Sequence, residues 1–279
     1  MFHKLLEVID HILKTGMCVG MFIPKRLYSV DVVRPGEQLH QICIVLRDVP
    51  GALAKAARVL ADANINIKTS SSFFVTEYPN AGVWSSFIDV SNATKSLEDV
   101  EAELRKLDVV LEVILKEPKP APFESIHFPI FHGNTRAIIM PRGMFWALWN
   151  AFEKIFAHSG LVVVLYNAGK RIGQHAANRI SEVFGLKGKE LIEALAQAGQ
   201  ATGWAITEIK EIDLNRASAT IIVKDCFEAV AWREKPYTVC HWTRGYLAGY
   251  LSVVFNKQVE AKETKCLAKG DEYCEFVIK

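Results

Sequence analysis

The stretch that decides the fold of the first half is His40–Tyr78, HQICIVLRDVPGALAKAARVLADANINIKTSSSFFVTEY. Its first eleven residues alternate and are rich in β-branched side chains, the pattern of a strand. From Gly51 the period lengthens, and Leu53, Ala56, Ala57 and Leu60 recur at helical spacing. At Ile65 strand composition returns. AGVWSSFIDVSN (81–92) reads as a further strand across a turn at Pro79–Gly82. SLEDVEAELRKLD (96–108) is a helix with Leu97, Val100, Leu104 and Leu107 on one face, and VVLEVILKE (109–117) is a last strand. The order βαββαβ predicts an α+β, ferredoxin-like domain over 37–117: one four-stranded sheet with both helices on one face.

Outward from this block, residues 1–36 form an N-terminal helix and extension. Phe2, Leu5, Leu6, Ile9, Ile12 and Leu13 give the helix one apolar face, and Gly16 ends it. So short a helix is marginal alone and is expected to pack on a surface or a second copy, in preference to serving as a DNA-contacting arm through Lys25 and Arg26. On the other side, EPKPAP makes a proline-rich linker over 118–123. A second, mixed α/β domain follows over 124–279. RGMFWALWNAFEKIFAHSG carries Phe145, Trp149, Phe152 and Phe156 on one stripe. GLVVVLYNAGKRIGQHAANRISEVFG gives a short apolar run and then a helix, and KGKELIEALAQAGQATG a further one. A hairpin turns around Asn215–Arg216, TVCHWTRGYLAGYLSVVFN is a buried helix, and the final residues form two strands joined at Lys269–Asp271. Gly169, Gly173, Gly245 and Gly249 recur four apart, which allows close helix approach, read as dimer packing or a pocket wall.

Composition narrows the class. The 279 residues are 50% hydrophobic and 23% charged, enough apolar material for two packed cores. Lys+Arg of 33 against Asp+Glu of 31 leaves a net charge of +2, too balanced for a dedicated nucleic-acid binder. No apolar run approaches the roughly 20 residues of a membrane helix, and the opening segment makes a poor signal peptide. Six unevenly spaced cysteines do not form a secreted disulfide scaffold. A cytoplasmic protein is expected.

Asp48-Val49-Pro50-Gly51-Ala52-Leu53 joins a strand to a helix start, where glycine lets backbone approach a ligand and unpaired N–H groups suit a carboxylate. With the βαββαβ order and the run Asn64-Ile65-Asn66-Ile67, residues 38–117 resemble an ACT domain. The resemblance implies association of copies and an amino-acid site at Asp48, Gly51, Ala52 and Leu53, faced by Asn64 or Ile65 of a second copy. A plain Pro-Gly turn in a domain that only dimerises is the competing reading.

Cys266 and Cys274 are symmetric about Gly270, so in a regular hairpin they stand opposite each other with Cβ atoms about 4.5–5.5 Å apart. With Glu263 on the same hairpin and Cys240 at the start of the preceding helix, they offer four donors to one tetrahedral ion, and sulfur favours zinc over magnesium or calcium. Three other readings fit the spacing: a disulfide, isolated buried thiols, and His241 in place of Glu263.

KETKCLAKGDEYCEFVI with the helix GYLAGYL before it, and Tyr166-Asn167-Ala168-Gly169 followed by Gly173, resemble the 4-vinyl-reductase domain over 123–279. That family shares its fold with trafficking-complex subunits and with phenol-sensor domains. In those sensors three Cys and one Glu hold zinc, and Cys240, Glu263, Cys266 and Cys274 fall at matching intervals. The resemblance thus implies structural zinc, since four filled positions leave none open for water activation. The sensors' phenol-recognising His and Trp have no secure counterpart; His175 and Trp204 are loose candidates, so phenol specificity does not transfer. An apolar cavity for a small hydrophobic or aromatic ligand remains, lined by Trp149, Tyr166, Trp204, Tyr246 and Tyr250, unless these rings simply fill the core.

There is no nucleophile elbow, P-loop, dinucleotide fingerprint or HExxH. Cys43 and Cys226 sit in apolar runs and read as buried and inert. The sequence therefore reads as a non-enzymatic sensor: a homodimer that binds small-molecule effectors and passes the signal to a partner protein. The rival is a ligand-free scaffold of the trafficking-subunit kind.

Overall fold

The computed structural model describes residues 36–75, 78–118, 123–133, 135–232 and 234–279. The expected N-terminal helix and most of the proline-rich linker lie outside these residues. Contacts divide the chain into two units that meet at Ile138/Ile139.

In the first unit the strands are β1 (Leu39–Arg47), β2 (Asn66–Phe73), β3 (Ala81–Asp89) and β4 (Val110–Lys116), ordered β2-β3-β1-β4 and antiparallel. Helices α1 (Ala52–Asp62) and α2 (Leu97–Arg105) complete the βαββαβ order. Strand alternation explains how β1 serves two layers. Ile42, Ile44 and Leu46 pack with Ala56, Leu60, Val100 and Leu104 of the helices, while Cys43 and Val45 join Ala81 and Val83 on the opposite face. Helix α2 starts where Ser96 Oγ accepts from the Asp99 N–H at 3.1 Å, with Glu98 and Asp99 in the first turn.

The second face of this sheet is covered by chain that follows β4. The Gln41 side chain donates to the Glu124 carboxylate and accepts from the Ser125 N–H at 3.3 Å. Ile126 packs on the cluster around Cys43, and the His127 ring stands edge-on to Phe73 at 4.9 Å. A short hairpin, β5 (Ile130–His132) and β6 (Thr135–Ala137), follows. The contact boundary therefore falls at Ile139, later than the expected 124, because β1 is apolar on both faces and recruits this segment as cover.

The second unit has strands β7 (Ile206–Asp213), β8 (Ser218–Lys224), β9 (Ala261–Lys265) and β10 (Cys274–Ile278), ordered β7-β8-β10-β9. Its helices are α3 (Arg142–Phe184), α4 (Gly188–Ala201), α5 (Phe227–Ala231) and α6 (His241–Val254). Helix α3 is two helices joined at Ala157, whose φ of 56° and ψ of 173° break the spiral. The apolar run at 161–165, expected as a separate element, continues the second of them. Leu161 and Leu165 lie one turn apart and are buried, whereas Val163 and Val164 face outward. Helical periodicity of burial overrides the weak strand preference of two valines.

Helices α3 and α6 touch backbone to backbone within one chain. A Cβ added to Gly169 would meet the Trp242 carbonyl oxygen at 2.2 Å, and one on Gly245 would meet that of Tyr166 at 2.0 Å. The four-residue glycine stripe is thereby accounted for inside the chain, which corrects its reading as dimer packing. Among the described residues no helix is long and apolar enough to cross a membrane.

Candidate metal centre and effector cleft

Three segments deliver the sulfur cluster. Cys240 is the N-cap residue of α6, Cys266 follows β9, and Cys274 opens β10. Between the last two, the Cys266 N–H donates to Asp271 at 2.8 Å and Gly270 takes a φ of 96°, which fixes the turn. Glu263 lies within β9 opposite Phe276, at the register shift where the two strands fall out of step. Ligand atoms of Cys240, Glu263, Cys266 and Cys274 lie within 4.8 Å of one another, and all four residues are buried.

The spacing matches a tetrahedron around a metal. Cys240 Sγ stands 3.9 Å from Cys266 Sγ and 3.7 Å from Cys274 Sγ. Zinc–sulfur bonds of about 2.3 Å at tetrahedral angles put sulfurs about 3.8 Å apart. A disulfide needs about 2.05 Å, and the five described cysteines are free. His241 is not part of the cluster: its ring faces His158 at 6.0 Å. Of the readings open from sequence, the carboxylate set is the one the fold brings together.

Electrostatics make the cluster uncomfortable without a cation. Glu263 Oε2 accepts from the Cys240 N–H at 3.1 Å, but buried Oε1 has no partner. Burial, with Cys266 alongside, pushes the Glu263 carboxyl up to about 9, and burial raises the Cys240 thiol as well. A divalent ion reverses both tendencies by favouring the ionised ligands. The Leu267 N–H already points at Cys274 Sγ, 3.4 Å away, as a donor to a thiolate would.

Two neighbours were not expected from sequence. Cys226 Sγ lies 3.8 Å from Cys240 Sγ and 3.6 Å from Thr243 Oγ1. Glu228 is wholly buried and caps α6 from outside, accepting from the Trp242 and Thr243 N–H groups at 3.0 and 2.9 Å and from the Thr243 hydroxyl at 2.9 Å. The available signal was topological: Val223 of β8 pairs with Cys274, so a cysteine three residues further on ends beside the cluster.

The aromatic residues proposed for a cavity belong to two packed clusters. Trp204 stacks on Trp242 at 4.5 Å and Trp242 on Tyr246 at 5.2 Å, while Trp149 packs against Phe227 at 5.6 Å. Tyr250 is fully buried and donates its hydroxyl to the Leu191 carbonyl at 2.7 Å. Tyr166 carries the Arg244 guanidinium 4.7 Å above its ring.

In the first unit a cleft of about 210 Å³ opens over the β1–α1 loop, lined by residues that include Arg47, Asp48, Val49, Ala52, Leu53, Phe73 and Phe74. Gly51, with a φ of 85°, turns the chain into α1 beside it. Asn64 and Ile65 lie at the far end of α1. The Asn64 amide donates to the Asn92 carbonyl at 2.8 Å, and Ile65 is spent in the core. The side chain of Ile65 is thus not free to face the site of a second copy.

Residues 40–109 match the ACT domain family, and residues 219–279 match the 4-vinyl-reductase domain family. The uncharacterised protein MJ0150 of Methanocaldococcus jannaschii is 34% identical over 146 residues, which cover 52% of this chain and 79% of the relative. Two solved structures overlap the chain. The phenol-responsive sensory domain of the transcription activator PoxR is 18% identical, covers 53% of this chain and 79% of its own, and gives a TM-score of 0.49. A vinyl-4-reductase family protein from M. jannaschii is 20% identical, covers 53% and 84%, and gives 0.36. The chain combines an ACT domain with a 4-vinyl-reductase domain, as its sequence motifs imply, and it belongs to one family with MJ0150.

Proposed function

We propose that this protein is a small-molecule-responsive regulator, in which the ACT domain binds an amino acid at the β1–α1 loop and a structural zinc ion clamps the 4-vinyl-reductase domain. The observation that carries the reading is the cleft at Asp48. One side offers a carboxylate, the other the first turn of α1 with its unpaired N–H groups, and Phe73 and Phe74 supply an apolar wall. That arrangement complements the ammonium, carboxylate and side chain of an amino acid at once. In the second domain three sulfurs and the unpartnered Glu263 oxygen suit zinc. When bound, the ion would cross-link α6 to the β9–β10 hairpin through Cys240, Glu263, Cys266 and Cys274. With four protein ligands it supplies stability.

Pairing of two copies and a downstream protein partner belong to the same proposal, because a ligand acts only through differential affinity for two states. No catalytic step is assigned. The test is a thermal-shift and calorimetric screen of the twenty L-amino acids against the metal-loaded protein. A saturable rise with one or a few of them, lost in Asp48→Ala, supports the reading; a flat screen overturns the ACT half. A second reading is favoured by the ring stack Trp204–Trp242–Tyr246: a 4-vinyl-reductase domain whose interior is filled by its own aromatics acts as a ligand-free scaffold.

A further inference from the structure

The metal centre has one donor more than a tetrahedral ion uses. Cys240 Sγ is the hub: it lies 3.8 Å from Cys226 Sγ, 3.9 Å from Cys266 Sγ and 3.7 Å from Cys274 Sγ. All three distances equal, within about 0.2 Å, the edge of a tetrahedron of sulfurs around zinc. Cys226 is fully buried at the end of the strand that pairs with β10, so its sulfur reaches the cluster on a rigid element. The opposite side is held by Glu263, nine-tenths buried, with Oε1 aimed at the cluster and bonded to nothing. Cys226 and Glu263 therefore flank the same three sulfurs and compete for one vertex.

We infer that Cys226 is an alternative fourth ligand, replacing Glu263 when the ion is strongly thiophilic, so that one pocket offers both a three-sulfur, one-carboxylate site and a four-sulfur site. The charge balance allows it. Three thiolates and a carboxylate, or four thiolates beside a protonated Glu263, both carry four negative charges against the two of the ion. In the second case each of the four thiols releases one proton to solvent, and the Glu263 carboxyl keeps its own. Ion softness then decides the outcome, because sulfur gains over oxygen as the metal becomes softer. The inference rests on the metal site proposed above.

The experiment loads the full chain with Cd²⁺ in four forms: wild type, Cys226→Ser, Glu263→Gln and the double variant. Thiolate-to-metal charge-transfer absorption per bound ion counts the sulfur ligands, and chelator competition gives affinity. The four-sulfur site predicts absorption lower by about a quarter in Cys226→Ser and unchanged in Glu263→Gln. It also predicts each single variant binding within a few-fold of wild type and the double variant at least about a hundredfold weaker, because only there is the fourth vertex empty. Equal absorption in wild type and Cys226→Ser overturns the inference. Should a variant fail to fold, cadmium NMR of the wild type distinguishes four sulfurs from three sulfurs and an oxygen without any substitution. A wild-type chain that binds no Cd²⁺ at all defeats the metal site itself, a result distinct from a bound ion indifferent to Cys226.

Discussion

Gly249 in α6 lies directly against Lys170 in α3: a Cβ at 249 would stand 1.9 Å from the Lys170 carbonyl oxygen. No rotamer change relieves a clash with backbone, so the helices themselves must separate. Gly249→Ala is expected to cost at least the ~1–3 kcal/mol typical of overpacking, read by urea denaturation. Gly143→Ala is the control, since nothing lies within 4 Å of the site in the same helix, and it should be neutral or slightly stabilising. Equal behaviour of the two variants would contradict the helix contact.

Cys266→Ala removes a sulfur that no neighbour can replace without moving β9. We expect metal content measured by mass spectrometry to fall sharply, and thermal stability to drop by several kcal/mol, because binding energy of a structural ion is folding energy. A chelator should lower the wild type toward the variant and leave the variant unchanged. Full metal content in Cys266→Ala would remove this residue from the ligand set.

Glu228 sets a pH dependence. Burial, with the Cys226 thiolate beside it, lifts its carboxyl from the ordinary 4.5 to about 8, against the pull of three hydrogen bonds from α6. A raised folded-state value means that the fold binds the proton more tightly than the unfolded chain does. The associated stability is therefore full below 4.5 and is lost as pH rises through about 8. Thermal scans of metal-loaded protein across this window should show a decline that is flatter in Glu228→Gln. Parallel curves for the two proteins would deny Glu228 this role.

Asp48 is exposed, so Asp48→Ala should leave the unfolding midpoint within about 0.5 kcal/mol of wild type while weakening any amino acid that binds the cleft. Calorimetry separates the two effects. Loss of stability without change in affinity would mark Asp48 as a loop-forming residue instead of a ligand contact.

The βαββαβ half is legible because each element signs itself locally: alternation in β1, helical spacing from Leu53 to Leu60, and a capping serine at 96. The metal ligands are legible for a related reason, since symmetry about Gly270 places Cys266 and Cys274 together within one hairpin. Cys226 escapes the same reasoning because its approach to Cys240 depends on β8 pairing with β10, a non-local contact that no spacing encodes. The glycine stripe reveals that something comes close but not what; the partner of Gly245 proves to be Tyr166 of the same chain. The segment around Glu124 is missed for a third reason: its polar composition hides that Gln41 and Ile126 seal the second face of β1.

The strand order of the second sheet has a consequence for biosynthesis. β10 lies between β8 and β9, so β9 has no route into the sheet until residues 274–278 have left the ribosome. Nascent chains must hold β8 unpaired along one edge, and several cysteines bare, through translation of everything from Asp225 to Tyr273. Assembly of this half is thus a late event, and the oxidant and metal supply met by the newly released polypeptide governs how much of it matures.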